Sequence, residues 1–235
     1  MDYIEDTRHL KQLKENGFNP GLVIDVGISN GEFFNECQKI FNKARYLLFE
    51  ARKIEETKIA EILPSITVDY KLFFNTLLGK GHEDDVNFYQ IDAGSSVYSE
   101  KTKFPKNVLK KNVRPMLKFL VEEFTEDRGD IPFPVFLKID TQGSELDILQ
   151  GMGPWLDFVE VVQLEVAFQE YNHGAPGVFQ IHEFMNSKGF TLYDLGAAFR
   201  KQSDNSIFHM DWVFVAKRSE LLNDGYFWTE ELKHA

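Results

Sequence analysis

Cysteine is almost absent: Cys37 is the one thiol in 235 residues. A single thiol excludes an internal disulfide and a cysteine-based zinc site, and it points to a reducing, cytoplasmic compartment. Positive charge is scarce, with 26 Lys and Arg against 37 Asp and Glu and a formal net charge of -11. That balance argues against nonspecific binding to a nucleic-acid backbone, so nucleic acid is not an expected partner. No apolar run approaches the ~20 residues of a membrane span. The opening MDYIEDTRHLKQLKENG also lacks an apolar signal core. Repeats and shifts of composition are missing too, so residues 1–235 read as one domain.

What is present is an alternation of short apolar strands and amphipathic helices. An N-terminal helix is expected from Ile4 to Asn16, ended by Gly17. LVIDVG, RYLLFE and VFLKID read as buried parallel strands, and Val159 to Val166 as another. EFFNECQKIFNK, SELDILQGM and Phe179 to Ser187 read as helices, as does Ile54 to Leu63. Phe33, Phe34, Cys37, Ile40 and Phe41 recur at helical spacing and should face the sheet. A third strand is expected at Thr67 to Asn75, and half of a hairpin at Val86 to Ile91. Residues 92–112 are polar, carry Lys101, Lys103, Lys106, Lys110 and Lys111, and read as a loop or lid before a helix at Val113 to Glu123. Phe190 to Leu195 and Asp211 to Ala216 close the chain without a helix between them, which implies an antiparallel closing strand. The fold class is α/β: a mostly parallel sheet with helices on both faces.

Three motifs carry the chemistry. VIDVGISNGEF places Asp25, Gly27, Asn30 and Gly31 between a strand and a helix, the order of a nucleotide-binding turn. Its glycines are spaced Gly-x-x-x-Gly, not the Gly-x-Gly-x-x-Gly that a dinucleotide pyrophosphate needs. Asp25 and Glu32 are poor neighbours for phosphate but suit a cationic methionine. Glu50 ends the second strand, where an acid accepts hydrogen bonds from ribose hydroxyls. Asp140 ends a further strand in FLKIDTQGSELDILQG and points to the same carboxyl edge as Asp25. Glu165 and a loop histidine, His173, come at the end of the next strand, Asp194 and Asp211 of the closing strands can reach the same face, and these are the candidate bases beside Asp140. None of these carboxylates shows metal-ligand spacing, and no metal is expected.

DVGISNG, FEA and LKIDTQGSELDILQG, in this order and spacing, resemble the FkbM family of methyltransferases over about Gly17 to Ala216. The resemblance implies a Rossmann-like class I methyltransferase fold and transfer of a methyl group from S-adenosyl-L-methionine to a hydroxyl of a sugar, glycan or related natural product. Carried over by position, Asp25, Gly27, Asn30 and Gly31 would contact the methionine part and Glu50 the ribose. Ser95 and Ser96 would lie near the adenine. The acceptor implied is a small molecule or glycan. Ile28, Ala51 and Lys118 stand where the family often has alanine, proline and aspartate. Two rival readings remain at this point: a non-catalytic adenosyl-binding domain, and a nicotinamide-dependent oxidoreductase.

Overall fold

The computed structural model describes residues 7–54, 71–91, 94–103, 105–124 and 131–222. Residues 55–63 of one expected helix, 67–70 of the third strand and 4–6 of the first helix lie outside these. Among the described residues one sheet has seven strands, ordered β3-β2-β1-β7-β8-β10-β9. They are β1 (Leu22–Val26), β2 (Arg45–Glu50), β3 (Lys71–Asn75), β7 (Val135–Ile139), β8 (Val159–Ala167), β9 (Phe190–Arg200) and β10 (Ile207–Ala216). The first five in that order pair in parallel. β10 runs antiparallel to both β8 and β9, as the missing crossover helix required.

Alternation along each strand sorts the core onto two faces. Leu22, Ile24 and Val26 of β1 join Leu137 and Ile139 of β7 on one face. That face is packed by α3 (Met116–Glu123), α4 (Glu145–Gly151) and α5 (Val178–Ser187). Val23 and Phe136 face the other way, toward α1 (Arg8–Glu15) and α2 (Glu32–Ile40). Phe33, Phe34, Cys37 and Phe41 are buried there, so the helical spacing of that segment is a packing stripe. Each of these phenylalanines contributes about 1.5–3 kcal/mol by burial. Cys37 is a core thiol beside the Tyr46 hydroxyl.

Two segments differ from expectation. Asn107–Pro115, expected as loop and helix start, is a strand, β6, in a small sheet ordered β4-β6-β5 with β4 (Leu77–Gly79) and β5 (Glu83–Gln90). Its side chains are largely exposed, because the small sheet buries few apolar residues, so the apolar alternation that marks strands is faint. The closing hairpin is also longer than expected, reaching Arg200 and starting again at Ile207. Register shifts between Ile207 and Phe214 blur its period of two.

A cleft at the carboxyl edge of the sheet

Because the parallel strands share one direction, their carboxyl ends open on one edge. A cleft of about 550 Å³ lies there, within the range of small-molecule sites. The turn after β1 supplies Gly27, Ile28, Ser29 and Asn30; β2 supplies Phe49 and Glu50; the segment after β5 supplies Ser95 and Ser96. Leu77, Leu78, Phe88 and Val97 add apolar walls. Lys138, Asp140, Gln142, Glu165, Phe199 and His209 complete the lining.

Asp25 is not on this wall. It is fully buried beneath it, and Lys138, its register partner on β7, lies between. The Lys138 Nζ lies 3.4 Å from Asp25 Oδ1, 3.2 Å from the Gly27 carbonyl and 3.7 Å from Asp140 Oδ2. Neither Asp25 oxygen accepts a well-formed hydrogen bond. Burial pushes the Asp25 carboxyl up, and the Lys138 ammonium only partly offsets this. The expectation that Asp25 meets a ligand directly is therefore corrected: it anchors the lysine that does line the cleft. The reason is strand alternation, which turns residue 25 into the α2-covered face.

Gly27 has a different neighbour from the one its motif suggests. Its φ is +82°, and a Cβ there would stand 1.9 Å from the Asp140 carbonyl oxygen. The glycine is demanded by the chain itself, where the ends of β1 and β7 cross closely. Gly31, at φ +81°, caps α2, while Asn30 Nδ2 donates to Glu32 at 2.8 Å. Glu50 is saturated: Oε1 accepts from Arg52 N (2.8 Å) and Nε (3.1 Å). Its Oε2 accepts from Ser29 N (3.0 Å) and Arg52 Nη2 (3.3 Å). The Ser96 hydroxyl donates to the Gln142 carbonyl at 2.8 Å, and the Ser95 hydroxyl accepts from Ile91 N at 3.0 Å. Both serines thus brace the loop that forms that wall.

Gln142 organises the carboxylates. Its Nε2 donates to Glu165 Oε2 at 2.6 Å and Asp140 Oδ1 at 3.1 Å, while its Oε1 accepts from the Tyr171 hydroxyl at 2.8 Å. Glu165 Oε1 lies 2.7 Å from His209 Nδ1. Burial first, then the charges of Asp140 and Glu145, push the Glu165 carboxyl well up. His173 is not part of this group. It is exposed on its loop, its backbone N donates to Ser99, and it does not line the cleft. His209 stands there instead. It was missed because 196–210 lacked a clean strand pattern; the one signal was Ile207, His209 and Asp211 at alternate positions. Lys118, one of the departures from the family pattern, is exposed on α3 and outside the cleft lining. Among the described residues no three His, Cys, Asp or Glu are placed to hold a metal, and no helix is long and apolar enough to cross a membrane.

Glu145 closes the turn after β7. Its Oε1 accepts from Thr141 N at 2.9 Å, Gly143 N at 3.1 Å and the Thr141 hydroxyl at 3.2 Å. Burial still pushes its carboxyl up to about 7; burial with Asp140 and Glu165 does the same to Asp211. An acid that holds its proton more tightly when folded stabilises fully below its unfolded pKa, and that stabilisation is lost as pH rises through the folded value. Stability is therefore expected to fall between about pH 5 and pH 8. Glu145→Gln keeps the acceptor oxygen, so it should raise the unfolding free energy measured by urea titration at pH 8 by of order 1–3 kcal/mol and change it little at pH 5. An equal response at both pH values would refute this.

The family model of the methyltransferase FkbM domain matches residues 25–192. Among solved structures, the methyltransferase FkbM from Methylobacillus flagellatus is 15% identical, with a TM-score of 0.47; the alignment covers 83% of this chain and 43% of that one. This chain thus spans under half of that protein's length. The O-methyltransferase TomG from Streptomyces achromogenes, involved in tomaymycin synthesis and solved with S-adenosylmethionine, is 11% identical over 88% of this chain and 77% of its own, at a TM-score of 0.51. A SAM-dependent methyltransferase from Aquifex aeolicus is 11% identical over 88% of each chain, at 0.42. No curated protein matches the sequence. The likeness to TomG speaks for a Rossmann-like class I fold, and the family match over residues 25–192 takes in the turn after β1, Glu50 and the turn after β7: the chain belongs to the FkbM family of methyltransferases.

Proposed function

We propose that the cleft binds S-adenosyl-L-methionine and that the protein methylates a hydroxyl oxygen of a small molecule or glycan. The observation that carries this reading is that the turn after β1 and Glu50, from adjacent parallel strands, line one cleft together with Asp140 and Glu165. The residues fit the cofactor. Leu77, Leu78, Phe88 and Val97 offer apolar surface to an adenine beside Ser95 and Ser96. Glu50 offers carboxylate oxygens to a ribose, provided that Arg52 exchanges its guanidinium contacts for the hydroxyls. Gly27 and Asn30 line the wall for the methionine part, with Gly31 capping α2 behind them and Lys138 held in the wall by Asp25.

Bound S-adenosylmethionine supplies an activated methyl whose leaving group is a neutral thioether. The protein's own contribution is alignment and removal of a proton. Asp140, Gln142 and Glu165 present hydrogen-bonding groups to an acceptor hydroxyl, and Phe199, nearly half exposed, offers an aromatic face. The ten strands among the described residues and their helices form one methyltransferase domain in this reading, and the net negative charge and single buried thiol suit the cytoplasm.

Calorimetry with S-adenosylhomocysteine tests the cofactor site. Glu50→Ala should weaken binding by about 1–3 kcal/mol, the scale of hydrogen bonds lost. No binding by the natural sequence would favour a non-catalytic domain, and unchanged affinity in the variant would remove Glu50 from the site.

A further inference from the structure

We infer that His209 is the base that takes the acceptor's proton, with Glu165 as its positioning residue; this rests on the methyl-transfer reading above. His209 and Asp211 alternate along β10 onto the face that carries Lys138 and Glu165, and Asp211 is the register partner of Glu165. That places the His209 ring at the cleft wall, beside Asp140 and Phe199.

The contacts of Gln142 and Glu165 leave one carboxylate oxygen for the His209 ring. Gln142 gives its N–H groups to two carboxylates and takes the Tyr171 hydroxyl on its oxygen, so its amide has one sensible orientation. Glu165 Oε2 is thereby committed as an acceptor, and Oε1 is left to His209 Nδ1 at 2.7 Å. With Glu165 ionised, the Nδ1–H faces that oxygen and Nε2 is left as the basic nitrogen. Among the described residues Nε2 has no hydrogen-bond partner. The Phe199 ring stacks on the imidazole, with centroids 4.9 Å apart and planes 9° from parallel, which holds the ring plane.

The charges around the ring come from every neighbouring element. Lys138 and Asp140 approach from β7, Glu145 from α4, Glu165 from β8, Tyr171 from the following loop and Asp211 from β10 itself. Burial lowers the pKa of His209, and the carboxylates of Asp140, Asp211 and Glu145 offset this only in part. A neutral ring at neutral pH is the state a base requires.

The step balances without a further reactant. The acceptor's O–H bond breaks as its oxygen bonds to the methyl carbon. The S–CH3 electron pair returns to sulfur, and the proton passes to His209 Nε2. Glu165 holds the resulting imidazolium, which loses its proton to water.

Two measurements on the full chain test this. Nitrogen-15 NMR of the histidine rings, with His209 assigned from the spectrum of His209→Gln, is expected to show at pH 7 a neutral ring protonated on Nδ1. A ring protonated on Nε2, or charged, would overturn the proposal. Incubation of a metabolite extract with methyl-tritiated S-adenosylmethionine should show labelling reduced about 10²–10⁴-fold in His209→Gln. The same variant should bind S-adenosylhomocysteine within about threefold of the parent, and labelling retained within that margin would refute the assignment. Failure of the parent protein to bind S-adenosylhomocysteine would instead sink the methyl-transfer reading, while the NMR result would still report the ring's state.

Discussion

Gly27→Ala should destabilise the protein by about 2–5 kcal/mol, besides damaging the cleft. An alanine at φ +82° carries backbone strain, and its Cβ would lie 1.9 Å from the Asp140 carbonyl oxygen, which is backbone and cannot swing aside. Relief requires the turn after β1 to move. That would disturb the Gly27 N–H bond to the Phe49 carbonyl at 2.9 Å and the Lys138 contact with the Gly27 carbonyl at 3.2 Å. Urea unfolding at unchanged m-value measures the loss. A glycine present only to admit a ligand makes the opposite forecast, with affinity lost and stability intact, so a stability change under about 0.5 kcal/mol would refute the packing argument.

Lys138→Met should cost about 3–5 kcal/mol, because it strands a buried carboxylate. Asp25 has its ion pair with this lysine on the neighbouring strand and no well-formed hydrogen bond to fall back on. The sign of the pH dependence follows. Without the ammonium the Asp25 carboxyl, already raised by burial, moves further up and takes a proton more readily. The loss should thus be smaller near pH 5 than near pH 8, since a protonated Asp25 needs no counter-charge. Adding Asp25→Asn to Lys138→Met should recover much of the loss, with a coupling of about 0.5–3 kcal/mol in a double-mutant cycle. Equal losses at both pH values, with additive single variants, would show that Lys138 acts through packing alone.

These effects bear on how much of the site could be read from residues in order. Asp140 and Glu50 were legible because acids ending apolar strands stand out, and Glu165 because it is an acid near the end of one; the structure brings all three to one cleft. Asp25 was legible as important but not in its role: its burial depends on which face of β1 it takes and on a lysine more than a hundred residues away. His173 drew notice as a loop histidine near a strand end, yet its loop carries it into solvent. His209 was hidden, since the long hairpin that delivers it has an irregular register and its stretch of β10 is only half-buried.

The sequence by itself determined the α/β class, the parallel strands with their carboxyl-end acids, the helical packing stripe through Cys37, and the antiparallel close. All of these are local, because they follow from periods of two and 3.6 and from which residues start or stop an element. Only the tertiary structure decided that Lys138 neutralises Asp25 beneath the cleft, that Gly27 yields to a neighbouring backbone, and that His209 meets Glu165. Those outcomes depend on strand order and register, which bring together residues distant in the chain, and no local pattern carries that information.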